Sequence, residues 1–287
     1  MIPDTARLSI ATLFRTFPFR IAITWTLTLV ETIMFALLPL LIGWSIDGLL
    51  NDDWTAFQQL IAALGGLLAV AIGRRVYDTR AYGTMRVEMS KSLVSRSAAR
   101  GVSAVNARVT MGRELVDFLE TTAPETLTAF VQIILSVVIL LSFHGTLALS
   151  AAGAAVLIVV IYALFARYFF RINGVLNTRM EGQVDAIKSA DVNRISTHFL
   201  GLRKAEVRLS DTESLVYGLI FLVLLSMLCF NLWFATTQSD ATPGQIFSIV
   251  SYSYEFVQAA VALPTALQAL TRLQEITARI NGTEPTS

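Results

Sequence analysis

No Asp, Glu, Lys or Arg occurs from residue 126 to residue 166, and the centre of that run holds one weak break at His144-Gly145. A helix rises about 1.5 Å per residue and a bilayer core is about 30 Å thick, so the run is twice what one crossing needs. It predicts a membrane hairpin of helices over 126–143 and 145–166. The same alternation of apolar runs and polar intervals predicts further helices over 19–46, 54–73, 214–237 and 245–270. After Arg20 at its start, only Glu31 and Pro39 interrupt the first of these, and Pro39 is expected to kink it by removing a backbone donor. In the second, Trp54 suits an interfacial anchor and Gly65-Gly66 predicts close helix contact.

Two long intervals, 74–123 and 167–213, are polar yet keep helical spacing, so each predicts a helical arm leaving the bilayer. In the first arm the pattern predicts helix to about Arg100, a turn at Gly101 and over Asn106 to Gly112, and a helix running on through Pro124. In the second it predicts breaks near Asn173-Gly174 and Gly201. Ser210-Asp211-Thr212-Glu213 has capping-box spacing directly before an apolar run, which predicts a helix start at the membrane surface.

Composition agrees with a membrane protein: 287 residues, 54% hydrophobic, 15% charged and a mean hydropathy of +0.62. The fold class is therefore all-α and polytopic, six transmembrane helices with two cytoplasmic arms in a single transmembrane domain, 1–287. The net charge of +1 hides an asymmetry that sets orientation. Lys and Arg number three before residue 21, nine in the first arm, eight in the second and two in the tail, which accounts for all 22. The remaining turns carry only Asp47, Asp52, Asp53 and Asp240 as charged residues. The positive-inside rule then puts both termini and both arms in the cytoplasm of a multi-pass plasma-membrane protein, the inner membrane in a bacterium. The first apolar run is too long for a signal-peptide core and is read as an uncleaved helix.

Glu31 and Glu255 are the charged residues well inside the first and sixth helices. With no Lys or Arg expected in the membrane beside them, they predict a cavity that favours cations or accepts protons, or protonated carboxyls bonded to hydroxyls of a neighbouring helix. The two helices run in opposite directions, so both residues fall near mid-depth. Ser248, Ser251, Tyr252, Glu255 and Gln258 recur at spacings of three and four, giving the sixth helix a polar face suited to a substrate pathway. Cys229 stands alone in an apolar run, which excludes an intrachain disulfide and suggests a buried, inert thiol. His144 and His198 fall on opposite sides of the membrane, so no metal site is expected from them, and His144 is read as a solvated loop residue. Interleaved charges without a stacking platform exclude a nucleic-acid interface, and basic residues beside a bilayer will meet lipid head groups.

Pro39-Leu40-Leu41-Ile42-Gly43-Trp44-Ser45-Ile46-Asp47 resembles the P-x-x-I-G-x-x-I-D stretch of ABC exporters, and the arrangement of spans, arms and short outer turns is similar along nearly the whole chain. The resemblance implies the six-helix transmembrane region of such an exporter. It would be a permease that pairs with a second copy or a related half-transporter and works by alternating access. Arm tips would dock on ATPase domains, by position Asn106, Arg108, Thr110 and Arg113 in the first arm and Phe199, Leu200 and Arg203 in the second. The second arm is shorter than the family norm. No G-x-x-x-x-G-K-[ST] loop and no Gly-Lys pair occurs, so this polypeptide is expected not to be an enzyme and to hold no cofactor, ATP being bound by a separate subunit. The alternative is an accessory or structural membrane protein derived from such a region and independent of any ATPase.

Overall fold

The computed structural model describes residues 10–96, 102–237 and 240–281, and every regular element among them is helical. In chain order these are α1 (Ile10–Thr16), α2 (Pro18–Ala36), α3 (Leu38–Leu50), α4 (Thr55–Arg96), α5 (Val102–Asp117), a π-turn (Phe118–Thr122), α6 (Ala123–Phe143), α7 (Gly145–Glu181), α8 (Gln183–Lys188), α9 (Val192–Thr237) and α10 (Pro243–Asn281). Among the described residues five stretches are long and apolar enough to cross a membrane: Pro18–Leu50, Thr55–Ser95, Val109–Phe143, Gly145–Lys188 and Val192–Thr237. The helices fall into two compact units, residues 1–143 with 235–287, and residues 144–234.

In the first unit, two prolines bend helices at points where hydroxyls from neighbouring helices bond backbone carbonyls. Pro39 cannot donate to the preceding turn, and the helix breaks at Leu37 between α2 and α3. There the Tyr252 hydroxyl donates to the Ala36 carbonyl (2.7 Å), and the Ser248 hydroxyl meets the Pro39 carbonyl (2.9 Å). Pro124 has a similar effect between α5 and α6. The Ala123 amide reaches back to the Phe118 carbonyl, one residue further than in an α-helix, which leaves the Leu119 carbonyl free to accept the Tyr82 hydroxyl (2.9 Å). Around this joint Leu13, Ile21, Tyr82, Met85, Met89, Leu93, Leu115 and Leu119 form a buried core linking α1, α2, α4 and α5. A Cβ on Gly112 would stand 2.3 Å from Leu93 Cδ1, so glycine lets α5 lie directly on α4.

Several expectations change. Asn106 to Gly112 is helical within α5, and the interval between α4 and α5 is 97–101, so the expected turn at Gly101 lies outside the described residues. Of the Gly65-Gly66 pair, a Cβ built on Gly66 would stand 3.2 Å from Met34 Cε, a close approach to α2, whereas one on Gly65 meets nothing within 4 Å among the described residues. The turn after α3 closes with Asp52 at φ 58°, a left-handed value that Asp tolerates, and the Thr55 hydroxyl and amide hold the exposed Asp53 carboxyl below the usual carboxylate range.

The second unit pairs α7 with α9 antiparallel: Ser150 bonds Asn231 at one end, and Arg179 lies against Gly201 at the other. Leu147, Ala151, Ala154, Val216, Ile220 and Leu224 are buried. Here the expected interruptions are absent. α7 runs straight through Asn173-Gly174, and α9 runs 46 residues through both Gly201 and Ser210. The chain reverses instead over Gly182 to Asp191, with the short α8 inside the turn and Ala190 at φ 52°. Asp191 provides the actual helix start, its carboxylate accepting from the Asn193 amide at 2.9 Å. Ser210 and Glu213 are one turn apart on a helix already formed, where the capping-box spacing has no free amides to satisfy. Cys229 is exposed in this unit, not buried, because it lies on the helix face opposite Leu224 and Met227. His144 is an N-cap: its Nδ1 accepts from the Thr146 amide at 3.1 Å, and its ring packs on Phe234 with centroids 4.8 Å apart.

Candidate functional site

Helix α10 runs antiparallel to α2 and α3, and three contacts fix its register: Gly244 against Gly43, Ser248 against Pro39, and Tyr252 against Ala36. Pro39, Gly43 and Asp47 lie four residues apart, so they share one face, and that face is the one α10 packs on. A Cβ on Gly43 would stand 2.2 Å from Ser248 Oγ and 2.5 Å from the Gly244 carbonyl oxygen. One turn on, Asp47 accepts hydrogen bonds from the Thr242 hydroxyl and the Gly244 amide (2.8 Å), an anion at the α10 N-terminus. The P-x-x-I-G-x-x-I-D spacing is therefore the pattern of one helix clasp.

Continuing that register brings Glu31 near the level of Glu255. Glu31 is not unneutralised, however. Its carboxylate pairs with the Arg74 guanidinium, and Arg74 also bonds Asp78 at 3.1 Å. Counting residues put Arg74 at the start of the arm, but α4 is a single 42-residue rod, and the long arginine stem lets the charged head lie beside α2. Thr32 bonds Thr128 at 3.1 Å on the next helix, α6.

Beside this ion pair lies a polar cavity of about 350 Å³ among α2, α4, the π-turn, α6 and α10. Thr28, Arg74, Arg75, Glu120, Glu125, Thr128, Gln132 and Gln258 line it. Arg74 is neutralised by Glu31 and Asp78, and Glu120 by Arg86, which also holds Asp117. Arg75 and Glu125 form no ion pair among the described residues, so the wall presents one free charge of each sign and two amides. Glu255 stands next to Gln132, with Oε2 buried and unpartnered.

The polar face expected on the sixth helix thus has two parts. Ser248 and Tyr252 are buried and spend their hydroxyls on α2 and α3 carbonyls, Ser251 is half-buried, Gln258 lines the cavity, and Glu255 stands behind its wall beside Gln132. Arg74, Arg75 and Glu125 were missed because they sit at or beyond the ends of apolar runs, and Gln132 because a single uncharged amide inside such a run breaks no pattern. The interrupting Pro124 was the available signal, since it marks the π-turn that forms one wall.

A family model for the ABC transporter transmembrane region matches residues 10–244 of the 287. The chain belongs to this family. The match to the ABC transporter transmembrane region spans α1 through α9 and ends as α10 begins. No curated protein of significantly similar sequence was found. The chain is thus a membrane-spanning ABC-type component, and its all-helical architecture with several long apolar helices agrees.

The residues expected at the family's docking tips fall on helix shafts. Asn106, Arg108, Thr110 and Arg113 are on α5, with Asn106, Thr110 and Arg113 exposed and the Arg108 side chain outside those described. Phe199, Leu200 and Arg203 are exposed on α9, past the reversal at Gly182 to Asp191. No cluster of His, Cys, Asp or Glu that could hold a metal occurs among the described residues.

Proposed function

We propose that this chain is the permease subunit of an ABC-type exporter in the plasma membrane, crossing it six times with both arms in the cytoplasm. It works as a dimer by alternating access, and ATP is bound and hydrolysed by domains on a separate chain. The observation that carries this reading is the polar cavity among α2, α4, α6 and α10. It is large enough for a small solute, and its wall joins helices bent at Pro39 and at the π-turn, both of which can hinge. The family membership supports it. On this reading the arm that reverses at α8 meets the ATPase, with Gly182 to Asp191 in place of Phe199 to Arg203 at its tip.

Affinity purification of the tagged full chain from its native membrane in mild detergent, followed by identification of the co-purifying proteins, tests this. A stoichiometric ATPase subunit is the expected result. A different membrane complex without any ATPase replaces the permease reading with an accessory role.

A further inference from the structure

In the second unit, Arg171 and Arg179 on α7 and Lys204 and Arg208 on α9 line one cavity of about 270 Å³, whose floor includes buried Ile172 and Ala205. No acidic residue lines it, and none of the four cations forms an ion pair among the described residues. Within each helix the like charges are one or two turns apart on one face, an arrangement that repels until an anion arrives. One cation is held in place by shape. A Cβ on Gly201 would stand 2.0 Å from Arg179 Nη1, so the guanidinium crosses α9 where that helix carries no side chain.

The cavity begins where the uncharged run of α7 ends, and its α9 wall lies just beyond the uncharged run of that helix, past Glu213 and Asp211. Arg167 is the first charge on α7, Tyr168 lies on the cavity wall, and neighbouring Phe170 is 85% exposed. An aromatic pair followed by unneutralised cations matches the head-group depth of a leaflet, given that these helices span the membrane. We propose that this cavity is a binding site for an anionic phospholipid, with preference for a head group carrying two phosphates. Four cations exceed the charge of a single phosphodiester, and arginines bind phosphate oxygens through paired N–H donors. Basic pockets between helices at this depth suit such head groups. The site is independent of the permease reading, because it persists in a protein with no ATPase partner.

Native mass spectrometry tests this on the full chain in mild detergent, equilibrated with equimolar phosphatidylcholine, phosphatidylglycerol and cardiolipin, and separately with inorganic pyrophosphate. Wild type is expected to retain cardiolipin over phosphatidylcholine. Arg171→Gln with Arg208→Gln should weaken retention roughly fivefold for each charge removed. Gly201→Ala keeps every charge and suits the helix, yet it pushes the Arg179 guanidinium aside, so it should weaken retention as Arg179→Gln does. Equal retention of phosphatidylcholine and cardiolipin, or no loss in the double variant, overturns the site. Unaltered retention in Gly201→Ala overturns a positioned pocket in favour of diffuse charge. Pyrophosphate binding without any lipid preference overturns the lipid assignment.

Discussion

The ion pair between Glu31 and Arg74 decides how the first helix meets its neighbours. A carboxylate in hydrocarbon is costly, and its cost is offset when a guanidinium bonds it, even though Arg74 is shared with a second carboxylate, Asp78. A double-mutant cycle of Glu31→Gln and Arg74→Gln, followed by detergent-titrated unfolding, should give a coupling of about 0.5–3 kcal/mol, and additive losses would show the pair to be energetically silent. Glycines offer a sharper contrast. Gly43→Ala places a methyl against the Gly244 backbone, which cannot swing away, and should cost about 1–3 kcal/mol in the same measurement. Gly65→Ala, with open space around it, should be neutral or stabilising by up to about 1 kcal/mol through helix propensity.

At the scale of elements, α9 is the informative case. Because it is continuous through Ser210 and begins at Asp191, Ser210→Ala should leave stability within about 0.5 kcal/mol, whereas Asp191→Ala should lose about 1 kcal/mol of cap. Thr212→Pro should cost about 3 kcal/mol or more by breaking the rod. The reverse ranking of Ser210 and Asp191 in thermal unfolding would restore a helix start at Ser210. This case also marks what the sequence made legible. Apolar runs longer than a bilayer, the charge-poor turns and the Pro39 break are local features, and local features are readable along a chain. Where helix continues beyond the apolar runs is decided by packing within each unit. Gly201 resembles a break but is space for Arg179, and Ser210 resembles a cap but has no amides to satisfy. At the site, Glu255 and Gln258 were legible from helical spacing. The partner of Glu31 was not, since Arg74 lies 43 residues away and meets it only through the packing of α4 on α2.

For the whole molecule, the proposal needs both arms on the side where an ATPase can reach them. The positive-inside rule supports that orientation, since 20 of the 22 Lys and Arg residues lie in the N-terminal segment and the two arms. It also gives opposite addresses to the α8 turn and to the short connection between α9 and α10. The direct test is labelling of single cysteines by a membrane-impermeant maleimide in a Cys229→Ser background, in intact cells and in inverted vesicles. Asp240→Cys is expected to react in intact cells, and Asp185→Cys only in inverted vesicles. Reaction of Asp185→Cys in intact cells, with Asp240→Cys protected, would put the arms outside and contradict an ABC permease driven from the cytoplasm.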